Sequence, residues 1–390
     1  MPRHVAWLLG LLVLSATAGE PDGQAPDNAA QPDQTAPALF SGSGSGTRDD
    51  PYRIASPQQL LEVARALDAH YVLVASIDLS DVSGGDEGPG FRPLGSRQRR
   101  PFSGTFDGQG HTITGLRIRL ADRTEDTGLF GCVDKGGVIR NLCISNACVQ
   151  GVDYVGILVG INFGWVHHCR TSGTIQGAGS FGGLAGANWG GTVTCCQSAA
   201  DVRGGNHLGG LIGMNESGTV EDSFATGSVT GEENPAGLAG CNRGGTITRC
   251  YATGPVASSF LGFTPEYRRA AGGLVASNQG GYINTRGGTI RHCLATGSVS
   301  GPEGLPVGRL VGLCDGGATV SDSFFFLPPG SAAEGIGLMC AAAGSADCAP
   351  VAEINARFFH RKFDAGAGWD FQRIWMLDPD ASSPSLPLLR

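Results

Sequence analysis

The sequence predicts an all-β chain wound as a right-handed parallel β-helix, a solenoid with coils of about 27 residues. A repeat is the first observation. Val155-Gly156-Ile157-Leu158-Val159-Gly160-Ile161-Asn162 returns at Phe181 to Asn188, Leu208 to Asn215, Pro235 to Asn242 and Ala271 to Asn278, and Val307 to Gly312 closes the series. Leu158, Leu184, Leu211 and Leu238 lie 26, 27 and 27 residues apart. Leu274 and Leu310 follow at intervals of 36, which hold insertions at Ser259 to Arg269 and Asn284 to Ile290. Composition is the second observation: 64 Gly without a collagen triplet, and only 16% charged residues, point to many tight corners between strands. Third, the segments between corners run four to six residues and alternate apolar with small or polar, a strand period too short for helices. One such coil cannot bury an interior alone. Stacked at the strand spacing of about 4.8 Å, each backbone donor and acceptor finds a partner above or below, and parallel crossovers favour the right hand.

Residues 1–18 read as an export signal: Arg3 and His4, an apolar run from Val5 to Leu14, then Ala16-Thr17-Ala18 as a small-x-small cleavage pattern. That run is shorter than the roughly 20 residues of a membrane span, as is every later one, so no transmembrane segment is expected. Residues 19–46 are rich in Pro, Gln, Asp, Ala and Gly and bury too little to fold, which predicts a disordered linker. Its Gly42-Ser43-Gly44-Ser45-Gly46 matches a hydrolase elbow in letters, but no strand-to-helix turn surrounds it, so it reads as spacer. Residues 47–125 should form the N-terminal cap and the first coils. Ser56-Pro57 is an N-cap and N1 pair, and Leu60, Leu61, Ala64 and Leu67 make one apolar face of a short plug helix. Residues 126–326 are the repeat coils, and 327–390 the closing segment. Within it, Phe358 to Trp375 is rich in aromatics and is expected to cap the far end, where strand edges would otherwise be exposed.

Each coil has a second half in which Gly-Thr-Val/Ile leads to a Cys or Ser and then Ala-Thr-Gly. Thr246 to Gly254 and Thr289 to Gly297 are the clearest copies. The pattern Gly-Gly-Leu-x-Gly-x-Asn followed by Cys-Tyr-Ala-Thr-Gly resembles the GLUG-motif repeats of bacterial exported and surface proteins, including those in the stalks of IgA-cleaving metalloproteases. Gly46 to Ile54, Ser76 to Leu79 and Phe102 to Ile113 resemble the segments that open such domains. Trp369-Asp370-Phe371 with Ile374-Trp375 resembles their close. The resemblance implies a β-helix outside a bacterial cell and no single activity. His-Glu-x-x-His is absent from the sequence, so the protease activity of some relatives is not carried over.

Asn162, Asn188, Asn215, Asn242 and Asn278 recur at one position and are expected to stack as a structural amide ladder. Cys169, Cys196, Ser223, Cys250, Cys293 and Ser323 form a second column, which demands a small residue and leaves bridging between neighbouring cysteines open. Cys340 and Cys348 flank a small loop and are the better candidate disulfide among 12 Cys in an exported chain. His167 and His168 are adjacent, so from a strand they cannot both face one metal. With Glu221, Asp222, Arg249, Arg291, His292 and Asp322 they read as a solvated ridge of weak ion pairs, and no metal or cofactor is expected. Asp107 sits in an Asp-Gly turn, and no acidic pair recurs on adjacent coils as a glycosidase would need.

A net charge of −8 with no basic stripe argues against nucleic acid. These features point to a non-catalytic protein, extracellular, on the cell surface or in the periplasm, that acts in adhesion or binds an extracellular glycan or surface protein. Phe163 and Trp189 hold equivalent post-Asn positions and form the one aromatic patch available to a carbohydrate, unless they only pack against a loop. A polysaccharide lyase or hydrolase on the same fold, or a purely structural envelope component, are the competing readings.

Overall fold

The computed structural model describes residues 40–82, 90–120, 126–259, 269–282, 286–327, 330, 334–339, 346–351, 369–370, 375–376 and 388–389. They form a parallel β-solenoid with one short α-helix near its start. A typical coil has three straight segments. Val159–Asn162 lies in an eight-stranded sheet, Trp165–His167 is a short second side, and Arg170–Gly182 runs along a third. The next coil repeats them as Ala185–Trp189, Thr192–Thr194 and Gln197–Gly209. The strands of successive coils pair in parallel, with local bulges on the long third side, and keep the register of the repeat along the eight-stranded sheet: Asn162 opposite Asn188, Asn215, Asn242 and Asn278 in turn. In the 36-residue coils the chain re-enters that register at Ala271–Gly272 and Thr289–Arg291, so the second insertion ends before Thr289 rather than at Ile290.

The interior is filled by columns. Leu158, Leu184, Leu211, Leu238, Leu274 and Leu310 are fully buried, as are Val166, Val193, Val220, Ile247, Ile290 and Val320 from the short side. The double glycines of the repeat stand where the backbone passes close to itself. A Cβ on Gly209 would run into the Ile212 carbonyl oxygen and the next coil.

The other corner is turned without glycine. Asn141, His168, Cys195, Asp222, Arg249, His292 and Asp322, one per coil, all hold φ between 47° and 55°. This left-handed kink is unusual for residues with a Cβ. The residue that follows each kink from Cys169 onward is the Cys or Ser of the second column, and its side chain donates to the carbonyl two residues back. Cys196 reaches Thr194 O at 3.2 Å and Ser223 reaches Glu221 O at 2.7 Å. Ser223 Oγ also accepts the Cys196 N–H at 3.0 Å. A small donor of either chemistry closes the kink, which explains why Cys and Ser exchange there.

At the N-terminal end the helix Pro57–Glu62 starts at Ser56, whose hydroxyl accepts the Gln59 N–H, and it runs into a 3-10 turn at Val63–Arg65. The buried face is Leu60, Val63 and Leu67, whereas Leu61 and Ala64 are exposed. The expected face was therefore rotated, because the turn tightens after Glu62. Glu62 is buried instead, and its carboxylate accepts the Ser41 N–H at 2.7 Å, which draws its pKa down.

That contact corrects the linker boundary. From Phe40 onward the chain is folded: the Phe40 ring lies 4.5 Å from Tyr52, and Arg53 N–H donates to Ser43 O at 2.9 Å. Gly42 to Gly46 is thus hydrogen-bonded to the first strand, Tyr52–Ile54, and the first coil. Composition cannot tell a solvated Gly-Ser run from one whose backbone is paired. Residues 1–18, most of 19–46 and most of Phe358 to Trp375 lie outside the described residues. In the closing segment, Trp369 is buried and donates to His292 O at 3.1 Å, on the flank of a coil.

Candidate functional site

Beside the main core, the eight-stranded sheet carries a second, smaller apolar cluster of Cys132, Ile161 and Ala187, with Tyr154, Phe163 and Trp189 packed on it half-buried. Stacking brings Phe163 and Trp189 together, their ring centroids 5.9 Å apart and edge to face. Tyr154, which sequence reading did not include, completes the patch at 5.2 Å from Trp189. Arg97, from a loop far away in sequence, lays its guanidinium over Trp189 at 5.3 Å and over Tyr154 at 5.7 Å. The Trp189 indole N–H has no hydrogen-bond partner among the described residues. Burial raises the pKa of the Tyr154 hydroxyl, and it pushes the Cys132 thiol up to about 12, so neither ionises near neutral pH.

Toward the C-terminus the same rows become polar. In register with Trp189 stands Glu216, and beyond it Arg243 and Gln279. Glu216 is buried; its Oε1 accepts the Tyr282 N–H at 3.0 Å, and Arg243 Nε stands 3.9 Å from Oε2. The exposed Tyr282 ring covers the Arg243 guanidinium at 4.1 Å. The strip is therefore aromatic at one end and charged at the other.

The five asparagines of the ladder are fully buried and joined head to tail. Asn162 Nδ2 donates to Asn188 Oδ1 at 2.9 Å, and the next three steps measure 2.8, 2.8 and 2.9 Å. Each of the first four Nδ2 groups also reaches a glycine carbonyl in its own coil, such as Gly218 O from Asn215 at 3.1 Å. No donor is left for a ligand. Cys169, Cys196, Cys250 and Cys293 are free thiols, buried in the column. Cys340 lies outside the described residues, and its proposed bond to Cys348 stays a proposal.

The ridge differs from the expectation of weak, solvated pairs. Arg249 grips Asp222 with two bonds, at 2.7 and 2.8 Å, and Glu221 with a third at 2.8 Å. The Asp222 side chain is only 5% exposed, so the pair is partly desolvated, and its bonds raise the pKa of Arg249 further. The kink at His168 also folds its ring back on its neighbour, bringing His167 Nδ1 within 3.1 Å of His168 Nδ1. Strand geometry had argued against such an approach. Among the described residues no group of three metal-ligating side chains accompanies them. Asp107 is spent on structure: its oxygens accept Gln109 N–H, Asn141 Nδ2 and Arg140 Nε, each at 3.0 Å. Among the described residues no helix is long and apolar enough to cross a membrane.

A family model described as the GLUG motif matches residues 204–230. The chain is 37% identical over 148 residues to halomucin of Haloquadratum walsbyi, a match that covers 37% of this chain and 2% of that protein. It is 36% identical over 132 residues to a protein of Evansella cellulosilytica described as a Gly-rich membrane protein, covering 33% of this chain and 15% of the other. The matched segments thus span a small part of either relative. A solved structure from Bacteroides ovatus, described as an immunoglobulin A1 protease, shares the fold with a TM-score of 0.59 at 19% identity, over 90% of this chain and 95% of that one. At that identity the likeness concerns the fold alone. By its repeat and its architecture, the chain carries the GLUG motif on a parallel β-solenoid.

Proposed function

We propose that the protein is exported and acts outside the cell, at or near its surface, as a non-catalytic binding solenoid that engages an extracellular glycan or a glycan-bearing surface. The observation that carries this reading is the side patch of Tyr154, Phe163 and Trp189 with Arg97. Aromatic rings offer sugar faces a flat apolar contact, and the exposed Arg97 guanidinium offers charged donors beside them. The export-type N-terminus and the names of the two relatives, a mucin-like name and a membrane protein, support the location.

The reading predicts that Phe163→Ala with Trp189→Ala removes binding to polysaccharide-coated surfaces, measured by surface plasmon resonance. Circular dichroism would check that the double variant keeps its fold. Binding retained by a folded double variant retires the patch. Slow release of reducing ends or unsaturated uronates from a polysaccharide panel would instead favour a carbohydrate-active enzyme.

A further inference from the structure

We infer that the glycan is anionic, and that the arginine loop beside the aromatic patch reads its carboxylate or sulfate groups. This inference rests on the glycan-binding reading and specifies its ligand. The loop holds Arg92, Arg97, Arg99 and Arg100 within nine residues, all exposed, in a chain whose net charge is −8. Two described carboxylates face them. Arg100 pairs with Asp68 at 2.8 Å, and Arg97 reaches Asp126 at 3.5 Å. Among the described residues, four guanidiniums stand against two paired carboxylates, and Arg92 and Arg99 carry the difference. On a chain of net charge −8, such a cluster is where a polyanion would be drawn.

The loop also has a shaped hollow. A cavity of about 290 Å³ opens between it and the end of the helical turn, and Arg92, Arg99 and Arg100 line it together with Asp126. Pockets for small ligands start near 300 Å³, so this one suits a single substituent-bearing sugar ring or chain end, with the rest of the polymer lying outside. Arg97 joins the two parts: its guanidinium lies 3.5 Å from Asp126 of the cavity and also over the rings of Trp189 and Tyr154. A guanidinium presents paired N–H groups that match both oxygens of a carboxylate or sulfate, which a neutral hydroxyl cannot exploit. A sugar lying on the patch beside Arg97 would bring an acidic group to that guanidinium, at the edge of the loop.

Binding of the full chain to alginate, dextran sulfate, uncharged dextran and polyglutamate tests this, at low and high sodium chloride. The expected result is binding to alginate or dextran sulfate at least about tenfold tighter than to dextran, weakened by salt. Arg92→Ser with Arg99→Ser should reduce that affinity by about tenfold without changing the melting temperature, since among the described residues neither side chain makes a hydrogen bond or ion pair. Alginate alone would name the carboxylate, dextran sulfate alone the sulfate ester. Equal affinity for dextran and alginate, indifferent to the arginine variant but lost in Phe163→Ala with Trp189→Ala, overturns the anionic inference and leaves glycan binding standing. Polyglutamate bound as tightly as alginate overturns it as well, because charge alone would then be read. Binding of no polymer overturns both.

Discussion

The Asn234 side chain accepts the Ala270 N–H through Oδ1 at 3.0 Å, which leaves Nδ2 facing His207 Nδ1 at 3.2 Å. An amide N–H₂ there requires an acceptor, so the imidazole must be neutral on that nitrogen. Burial, with Arg243 adding repulsion, lowers the His207 pKa from 6.5 to about 4. A base depressed in the folded state binds its proton more readily when unfolded. Its contribution is therefore complete above about pH 6.5 and is lost as the pH falls toward 4, by up to about 3 kcal/mol. Urea midpoints between pH 7.5 and 4.5 should fall less steeply for His207→Gln, which keeps an acceptor but no titrating ring. Parallel slopes for the two proteins would assign the pH dependence to other groups. Nothing in the sequence marks this histidine, because the residue that fixes its tautomer lies one coil away and is itself oriented by a third coil.

Among the elements, the amide ladder was legible and the kinked corner was not. Five asparagines at one repeat position announce themselves as a stack, since identical polar side chains in a buried column must satisfy one another. The seven left-handed corner residues include Asn, His, Cys, Asp and Arg, and a backbone conformation that any of them adopts leaves no compositional trace. The same holds for the patch. Phe163 and Trp189 follow from the repeat, whereas Tyr154 and Arg97 come from connections whose course the repeat does not specify. Asn215 is the central rung and shows what the ladder contributes. Asn215→Ala removes an acceptor from Asn188 and a donor from Asn242 and Gly218, leaving buried polar groups unmatched. The expected cost is at least about 3 kcal/mol, from three orphaned groups at no less than roughly 1 kcal/mol each, read from the shift in urea midpoint. A loss under about 1 kcal/mol would mean that water enters and replaces the amide.

At the scale of the whole molecule, stability is shared between neighbouring coils rather than held in one centre. Leu208 stands opposite Pro235 and Gly209 opposite Ala236, one coil apart. Deleting Gly209 to Pro235 therefore removes 27 residues and returns the chain to register, with Asn188 now facing Asn242. That deletion should fold with a cooperative thermal transition at a somewhat lower temperature. Deleting only Gly209 to Asn234 shifts every later strand by one residue, turning interior side chains outward, and should abolish the transition. Equal folding of the two would show that register is not what the repeat preserves. The ladder adds one more property at this scale. Its amides all point from the earlier coil to the later one, and the last, Asn278, finds the Thr319 carbonyl at 3.2 Å instead of another Asn. Aligned dipoles sum, as along an α-helix, so the solenoid has an internal electrical polarity that owes nothing to its ions. A coil stacked in the opposite sense would set two amino groups or two oxygens face to face, and the column can grow only head to tail.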